Sequence, residues 1–329
     1  MQTWPTWWSQ PIRPGASLGL CTLTELVHNP KNGSSVVWKA RHPLKQIVAV
    51  KLVKPDVAEA FQERGDLSLR QEIRILRLLE KFGVMPGYFV EGECLTHPRY
   101  LAVNWLAGIT LGTLLDTVSW CGWNELRPTI AALCAQLAPL HTAGFVHRDI
   151  KPDNVMLARP HATLFDFGLC VATSRIQDKV NPASPPMDSA SPGGSLRYCP
   201  PEQFDDQTPA SAATDIYSMG CLIYHALTGE PPFQGRTFEE LEALHLAGVP
   251  AQINPHSPVP VELTRTIMAC LEKTPAHRPG LPELAALCGT NLWRQTKNRR
   301  QDVLAGGFAF SNPVISCRGP GLCRRHSAQ

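Results

Sequence analysis

Residues 147–154 read His-Arg-Asp-Ile-Lys-Pro-Asp-Asn, and the tripeptide Asp166-Phe167-Gly168 follows twelve residues after Asn154. Both stretches place carboxylate, amide and basic side chains between apolar residues near the middle of the chain. The sequence before them is rich in short β-branched runs, whereas the apolar residues around and after them have helical spacing. The two stretches therefore lie inside the second of two differently built parts of the chain.

The first third of the chain has the pattern of a small sheet with one helix. Strands are predicted over 35–40, 46–52 and 100–105, which are runs of β-branched and aromatic residues. Over 58–81 the apolar residues recur every three or four positions among charged ones. That spacing predicts an amphipathic helix.

The rest of the chain is mainly helical, with one long interruption. The stretch from Thr173 to Pro192 is rich in Pro, Ser and Ala, which predicts a loop inside the second part. Strands followed by helices favour a small β-rich unit and a larger helical one. The predicted helices span 111–116, 125–143, 214–228, 261–273 and 281–289.

Length and charge exclude some classes of protein. A chain of 329 residues suggests about two domains, and 43% apolar with 18% charged residues supports a sizeable core. The formal net charge of +3 argues against a nucleic-acid binder with a basic surface. Residues 290–329 hold seven Lys or Arg and one acidic residue, so the basic excess belongs to a tail and the body is mildly acidic.

The cysteines and the apolar runs predict where the protein works. The eleven cysteines are scattered and form no Cys-x-x-Cys pair, so we expect reduced thiols and a cytoplasmic location. The Pro- and Trp-rich N-terminus lacks the features of a signal peptide. The longest apolar run, 130–145, contains Gln136, Pro139 and His141. We therefore expect a chain that does not span the membrane.

The motifs resemble the protein kinase family. His147–Asn154, Asp166–Gly168 and Lys51 in Val-Ala-Val-Lys occur in the family's order and spacing. Later motifs at 194–202, 215–220 and 274–279 extend the resemblance over residues 18–290. The resemblance implies an α+β, bilobal protein kinase-like fold. Its expected parts are an N-terminal Pro/Trp-rich extension (1–17), a small β-rich N-lobe (18–105), a larger mainly helical C-lobe (106–290) and a basic C-terminal tail (291–329).

The same resemblance implies an ATP-dependent Ser/Thr protein kinase of bacterial, eukaryotic-like type. Lys151 follows the catalytic-loop Asp149 by two residues and Ser195 lies in Gly-Ser-Leu-Arg-Tyr, both as in Ser/Thr kinases, and the ending Pro201-Glu202-Gln203 is similar to the bacterial members. The implied partners are protein substrates with Ser or Thr and a cognate protein phosphatase. A small-molecule phosphotransferase is disfavoured, because such enzymes usually lack the Pro-Pro-Glu and Asp215 segments.

Chemistry assigns roles to the motif residues. A phosphoryl group in transfer carries charge on three oxygens and needs cations and an in-line attacker. By resemblance, Asp149 accepts the proton of the substrate hydroxyl and Lys151 neutralises the transferring phosphate. Asp166 and Asn154 would hold Mg²⁺, with Mn²⁺ as the alternative, because hard oxygen ligands suit these cations. Lys51 would contact the ATP phosphates, oriented by Glu72 or, as the second candidate, Glu63.

Other parts of the ATP site are expected from the alignment of motifs. The segment 104–106, with Trp105, matches the hinge that binds adenine. The phosphate-covering loop departs from the family: Pro30, Asn32 and Ser35 stand where glycines are expected, and only Gly33 lies within the segment. This departure keeps open a non-catalytic scaffold or pseudokinase function. Four apolar positions match the adenine pocket, although each would equally suit an ordinary core: Val37, Ala49, Val103 and Met156.

Regulation by phosphorylation is the last expectation. Arg148 precedes Asp149, and in the family this arginine often pairs with a phosphate on the activation loop. A phosphate adds about two negative charges and orders a loop through charge-assisted hydrogen bonds. We therefore expect autophosphorylation between residues 173 and 195; the alternative is that the hydroxyl residues only keep the loop flexible. The candidate sites are Thr173, Ser174, Ser184, Ser189, Ser191 and Ser195.

Overall fold

The structure is a computed structural model of the chain, and it shows the expected small β-rich lobe and larger, mainly helical lobe. Both lobes belong to one compact unit that ends near Leu292. The residues described are 12–29, 35–54, 59–81, 90–91, 100–158, 161–173, 194–204, 208–254 and 258–289.

The small lobe is built on a six-stranded antiparallel sheet with the strand order β1-β2-β3-β4-β6-β5. The strands predicted from the β-branched runs are confirmed, and the sheet begins at Ser17, one residue before the expected start of the lobe. The strand bounds are Ser17–Leu18 (β1), Cys21–His28 (β2), Ser35–His42 (β3), Gln46–Val53 (β4), Val90–Glu91 (β5) and Tyr100–Asn104 (β6).

The register of β3, β4 and β6 gives the sheet two different faces. Residues directly opposite on neighbouring strands point to the same face. Trp38, Val50 and Ala102 pair in this way and are buried in a small core. Residues one position along each strand point to the other face, so Lys51 lies there, opposite Val37 and Leu101. Alternation along the strands thus separates a structural face from a face that carries a cation.

The predicted helix over 58–81 is confirmed as α1, Glu59–Lys81. Its apolar residues Leu69, Ile73, Leu76 and Leu79 are all buried in the larger of the two cores. α1 packs against β4, β5 and β6 of the sheet, and its buried residues belong to a core that continues into the helical lobe. The amphipathic pattern is therefore what places one face of α1 next to the sheet.

The helical lobe contains six further described helices around this larger core. The predicted helices are confirmed to within two residues, except at the C-terminal end of the helix predicted over 261–273. The helix over 238–247 was missed. Ser211 and Thr214 form a capping box at the start of the central helix, and Gly229 ends it in the left-handed conformation. The bounds are Leu111–Val118 (α2), Trp123–Thr142 (α3), Ala212–Thr228 (α4), Phe238–Ala247 (α5), Val261–Cys270 (α6) and Leu281–Leu287 (α7).

The prediction of a helix over 261–273 was wrong at its C-terminal end, because α6 ends at Cys270. A residue before a proline disfavours helical dihedrals, and Thr274 precedes Pro275. The backbone carbonyl oxygens after α6 also accept hydrogen bonds from a side chain. The Arg278 guanidinium donates hydrogen bonds to the carbonyls of Glu272 and Lys273.

Short strands that the sequence analysis missed surround residues 147–168. They form a three-stranded sheet, in the order β10-β9-β7, and a two-stranded pair of β11 with β8. Each strand has only two to four residues, which is too short for a periodicity to be recognised. Their bounds are Ile109–Thr110 (β7), Phe145–Val146 (β8), Val155–Ala158 (β9), His161–Leu164 (β10) and Val171–Ala172 (β11).

Several expectations fall outside the described residues. These include most of the 1–17 extension, the basic tail over 291–329 and the loop from Ser174 to Pro192. Within the described parts of the chain, no helix combines the length and the apolar character that crossing a membrane requires. Eight of the eleven cysteines are described, and none of these eight forms a disulfide bond.

Gly108 gives a test of the close contact between the segment after β6 and β9. Its φ is +146°, and a Cβ at this position would lie 2.1 Å from the backbone oxygen of Leu157. Gly15 also has a positive φ, +91°, but a Cβ there would meet nothing within 4 Å. Gly15→Ala should cost about 1 kcal/mol of unfolding free energy from backbone strain alone. Gly108→Ala should cost at least about 2 kcal/mol more, since backbone has to move. Equal losses in urea unfolding would contradict the close contact.

Candidate active site

Lys51 connects the small lobe with the Asp166-Phe167-Gly168 segment. Its Nζ lies 2.8 Å from Glu72 Oε2 and 3.0 Å from Asp166 Oδ1. Of the two acidic candidates on α1, the structure pairs Glu72 with Lys51, whereas the side chain of Glu63 lies outside the described residues. One cation therefore bridges a strand, a helix and a loop.

The electrostatics of this set keep Lys51 and Asp166 charged. Burial alone would lower the pKa of Lys51, but the charges of Asp166 and Glu72 and their hydrogen bonds outweigh it and raise the pKa. Burial raises the pKa of Asp166, but the Lys51 charge and hydrogen bond hold it well below its usual value. Burial raises the pKa of Glu72 and the Lys51 charge offsets part of that rise. Lys51 and Asp166 are therefore a cation and an anion at neutral pH.

The backbone around Asp166 aims its carboxylate at this set. Asp166 has a positive φ of 64°, an uncommon conformation for a residue with a side chain. The Gly168 N–H donates to Asp166 Oδ1 at 3.3 Å. A Cβ on Gly168 would lie 3.2 Å from Asp166 Oδ1 and 3.8 Å from Glu72 Oε2. Glycine at 168 thus leaves room for the Asp166 carboxylate beside Lys51.

A second charged set is formed by Asp149, Lys151 and Asn154. Lys151 Nζ donates to both carboxylate oxygens of Asp149, at 3.0 and 2.8 Å. The amide Nδ2 of Asn154 donates to Asp149 Oδ2 and to the Asp149 carbonyl, each at 2.8 Å. The carboxylate of Asp149 is thus fixed by an ammonium and an amide.

The hairpin of β9 and β10 brings the two sets to the same place. Val155 pairs with Leu164, so the residues just before and after them face each other. The Phe165 N–H accordingly donates to the Asn154 carbonyl at 3.0 Å. Asn154 and Asp166 are therefore one residue apart across the open end of a hairpin. The twelve-residue spacing in the sequence is the length of this hairpin.

Asp215, on α4, holds the backbone of the Asp149 segment. Its fully buried carboxylate accepts hydrogen bonds from the backbone N–H groups of His147 and Arg148, both at 2.9 Å, and from His141 Nε2 at 2.7 Å. Burial alone would raise the pKa of Asp215, but these hydrogen bonds and nearby charges lower it. Arg148 has a φ of +68°. Asp215 therefore fixes an unusual backbone turn next to Asp149.

His147 packs beneath the Asp166-Phe167-Gly168 segment, as the sequence predicts. Its ring centroid lies 4.8 Å from that of Phe167, and its side chain is fully buried. Burial lowers the pKa of His147 more than the surrounding carboxylates raise it, so the ring is neutral. Its role here is packing.

Two supporting residues, Gln136 and His141, were not identified from the sequence, and Arg278 was predicted only as part of the motif 274–279. Gln136 joins α3 to β10, because its amide donates to the Ala162 carbonyl at 2.9 Å and accepts from the Leu164 N–H at 3.0 Å. His141 contacts Asp215. Arg278 forms a buried bidentate ion pair with Glu202, at 2.7 and 2.8 Å. Gln136 and His141 are the polar interruptions of an apolar helix, which is the signal that marks them.

The apolar positions matched to adenine share the cation-bearing face of the sheet. Ala49 lies opposite Val103, and Val37 lies opposite Lys51. All of them are partly exposed, unlike the buried residues of the opposite face. Met156 lies on β9, opposite Thr110. Trp105, in the expected hinge, has the Lys39 ammonium 4.9 Å from its ring centroid.

The remaining expected residues are only partly described. Gly33 lies outside the described residues, and Ser35 begins β3 opposite Val53. Thr173 donates its backbone N–H to the Gly144 carbonyl at 2.8 Å. Ser195 lies in the 3-10 turn Gly194–Tyr198. Ser174, Ser184, Ser189 and Ser191 lie outside the described residues.

Asp166 and Asn154 fit a magnesium ion. The Asp166 carboxylate is ionised, and Asn154 uses its amide nitrogen on Asp149, which leaves the amide oxygen as a ligand. No group of three or more His, Cys, Asp or Glu that would hold a metal occurs among the described residues. Mg²⁺ is usually held by one or two protein ligands together with phosphates and water, so this two-residue oxygen set suits it.

Comparisons with known proteins agree with this geometry. A protein kinase domain profile matches residues 32–287. The chain is 28% identical over 282 residues to the probable serine/threonine-protein kinase PkwA of Thermomonospora curvata, covering 86% of this chain and 36% of that protein. It is 30% identical over 251 residues to the serine/threonine-protein kinase PknB of Mycolicibacterium smegmatis, covering 75% and 39%. For AfsK of Streptomyces coelicolor the identity is 28% over 272 residues, covering 79% and 31%.

The chain belongs to the protein kinase family, and its two lobes are those of the protein kinase fold. The relatives named above are all called serine/threonine-protein kinases and come from bacteria. It spans between 28% and 39% of the length of the curated relatives that it matches.

Replacing Lys51 tests the ion-pair set through stability. Lys51→Met leaves two neighbouring carboxylates without their cation and should lower the free energy of unfolding by about 2 kcal/mol at pH 7. A fully buried ion pair would lose more free energy of unfolding. The Lys51 and Asp166 side chains are 23% and 36% exposed, so solvent screens their charges. Lys51→Arg keeps the charge and should lose less.

The pH dependence of that loss has a definite sign. In the native protein the pKa of Asp166 lies below its value in the unfolded chain, so its stabilising contribution is present above the ordinary carboxyl range and is lost as pH falls. In folded Lys51→Met the pKa values of Asp166 and Glu72 lie above those of the unfolded chain instead. Lowering the pH therefore stabilises the fold of that variant. The difference between wild type and Lys51→Met in urea unfolding should therefore narrow from pH 7 to pH 4. A constant difference would contradict the ion pairing.

Proposed function

We propose that the chain is an ATP-dependent Ser/Thr protein kinase that transfers the γ-phosphoryl group to hydroxyls of protein substrates. The observation that carries this proposal is the junction of the two charged sets at the open end of the β9–β10 hairpin. Lys51 and Asp166 supply the charges that a nucleotide phosphate and its metal require, and Asp149 lies on the adjoining segment. The names of the related proteins support the same reaction class.

Asp149 is the group that we assign to the substrate hydroxyl. Its carboxylate is fixed by Lys151 and Asn154 at 2.8–3.0 Å, so it needs little reorganisation to accept a proton at Oδ1 or Oδ2. Lys151 is the nearest cation to that carboxylate and is placed to neutralise the transferring phosphate. Its position two residues after Asp149 supports Ser/Thr hydroxyls as the acceptors.

Lys51 is assigned to the ATP phosphates, with Glu72 as the residue that orients it. Asp166 and Asn154 would hold Mg²⁺, and the ion would supply positive charge to offset that of the ATP phosphates. The adenine ring is assigned to the partly exposed face that carries Val37, Ala49 and Val103. Apolar side chains on that face exclude water from the ring, and the 104–106 backbone provides hydrogen-bonding groups.

The scaffold alternative is not favoured. It rests on the missing glycines of the phosphate-covering loop, whose residues 30–34 lie outside the described part of the chain. The charged residues that catalysis requires are all present and paired. Asp215 and Glu202, which support the Asp149 segment and Arg278, are buried and hydrogen-bonded. A small-molecule phosphotransferase usually lacks the segments that contain Asp215 and Glu202.

We also propose control by phosphorylation of the segment that follows Thr173. The Arg148 charge acts on the thiols of Cys170 and Cys199: burial raises the pKa of both thiols, and Arg148 opposes that rise. Cys170 and Cys199 lie on either side of the 174–193 segment. Because the same charge acts on residues before and after this segment, we assign Arg148 as the cation that pairs with a phosphate on it.

A substitution at Asp149 tests the reaction. Asp149→Asn keeps the shape but removes the proton acceptor, and it should lower kcat by about 10²–10⁴-fold. The matched control is Asp153→Asn, an exposed carboxyl in the same turn, which should stay within about threefold of wild type. The measurement is ³²P transfer from ATP with Mg²⁺ to casein, together with thermal unfolding of each variant. Equal transfer by wild type and Asp149→Asn would refute the catalytic assignment.

Mass spectrometry tests the regulatory proposal. Wild type incubated with ATP and Mg²⁺ should gain phosphate within residues 173–195, and Asp149→Asn should gain none. Treatment with a phosphatase should reduce wild-type activity, whereas in Arg148→Ala the treated and untreated proteins should have the same activity. An active wild type with an unmodified segment would refute this form of control.

A further inference from the structure

We propose that the N-terminal Trp-rich segment, residues 1–11 (Met-Gln-Thr-Trp-Pro-Thr-Trp-Trp-Ser-Gln-Pro), docks in a groove on the small lobe of its own chain. The groove has a volume of about 450 Å³ and lies at the ends of the β1–β2 and β3–β4 hairpins. It is distinct from the charged sets around Lys51 and Asp149. Its lining residues are Leu20, Thr22, Arg41, His42, Pro43, Gln46 and Ile47.

The strand register fixes where this groove lies. Thr22 lies opposite Arg41, and Arg41 lies opposite Ile47, so these three side chains form one row across the sheet. Two residues further along the strands is the row of Lys39, Ala49 and Val103, which points to the same face. The groove is therefore the outer continuation of the face assigned to adenine.

The surface of the groove suits indole rings. Leu20 and Ile47 are 57% and 43% exposed, and the neighbouring Leu44 is 80% exposed. Arg41 adds a cation among these apolar groups, and cations attract the faces of tryptophan rings. The adjoining row already contains such a contact, because the Lys39 ammonium lies over the Trp105 ring. An uncharged, tryptophan-rich partner matches this combination.

The N-terminal segment has that composition and is within reach. It contains Trp4, Trp7 and Trp8 and no charged side chain; each tryptophan has about 150–250 Å² of surface to bury. Ile12, the next residue, packs against the small core. The Gly15 N–H and the Ala16 carbonyl form hydrogen bonds with the backbone of Leu23, next to groove residue Thr22. Eleven extended residues span about 36 Å. The segment that precedes Ile12 is therefore long enough to reach the groove beside Thr22.

Fluorine NMR of the full chain labelled with 5-fluorotryptophan tests the docking. The eight tryptophans give one resonance each, and Trp→Phe variants at 4, 7 and 8 assign those of the segment. We expect at least one of these three resonances to have a chemical shift that differs from its value in a synthetic peptide of residues 1–11. Ile47→Asn should move that resonance to the peptide position, and Arg41→Gln should move it part of the way.

Controls separate this proposal from its alternatives. Val249→Asn, at a position that is 90% exposed on the helical lobe, should leave the resonances unchanged, and the buried Trp38 reports that each variant is folded. Three results would overturn the proposal: peptide-like resonances in wild type, a displacement that disappears on dilution because a second copy supplies the groove, or a displacement only with phosphatidylcholine–phosphatidylglycerol vesicles.

Discussion

The ion pair between Lys51 and Asp166 is the contact on which the rest of the site depends. It joins a strand of the small lobe to a loop of the helical lobe over 3.0 Å, and Glu72 adds α1 to the same contact. Two charges in a partly buried place are stable only while they face each other. The sheet register, the helix packing and the positive φ of Asp166 all serve to keep these groups within hydrogen-bond distance.

A set of hydrogen bonds transmits this arrangement to Asp149. The hairpin bond from Phe165 to Asn154 fixes the distance between the two charged sets, and Asn154 in turn holds Asp149. From the other side, Asp215 accepts two backbone N–H groups of the same segment. Buried polar groups are costly unless every partner is present, so this network resists small displacements of the carboxylate. Preorganisation of this kind is what a phosphoryl-transfer site needs.

The sequence predicted the long elements and the charged residues better than the links between them. Alternation and helical spacing over many residues identify β3, β4 and α1, and the family resemblance picks out Lys51 and Glu72 on them. The β9–β10 hairpin was missed because strands of four residues have no readable period. Gln136 and His141 were noticed only as interruptions of an apolar run; the carbonyl of Ala162 and the carboxylate of Asp215 that they contact are distant in sequence. Helix α6 ends at Cys270, and the carbonyls of Glu272 and Lys273 accept hydrogen bonds from Arg278, a contact that helical spacing does not reveal.

A double-mutant cycle for MgATP binding tests the central claim that Lys51 and Asp166 act as one nucleotide–metal site. The dissociation constant is measured by calorimetry for wild type, Lys51→Met, Asp166→Asn and the double variant. If the two residues act together, the double variant should bind only slightly more weakly than either single variant, with a coupling energy of about 1 kcal/mol or more. Independent, additive losses, or unchanged binding in either single variant, would contradict the account.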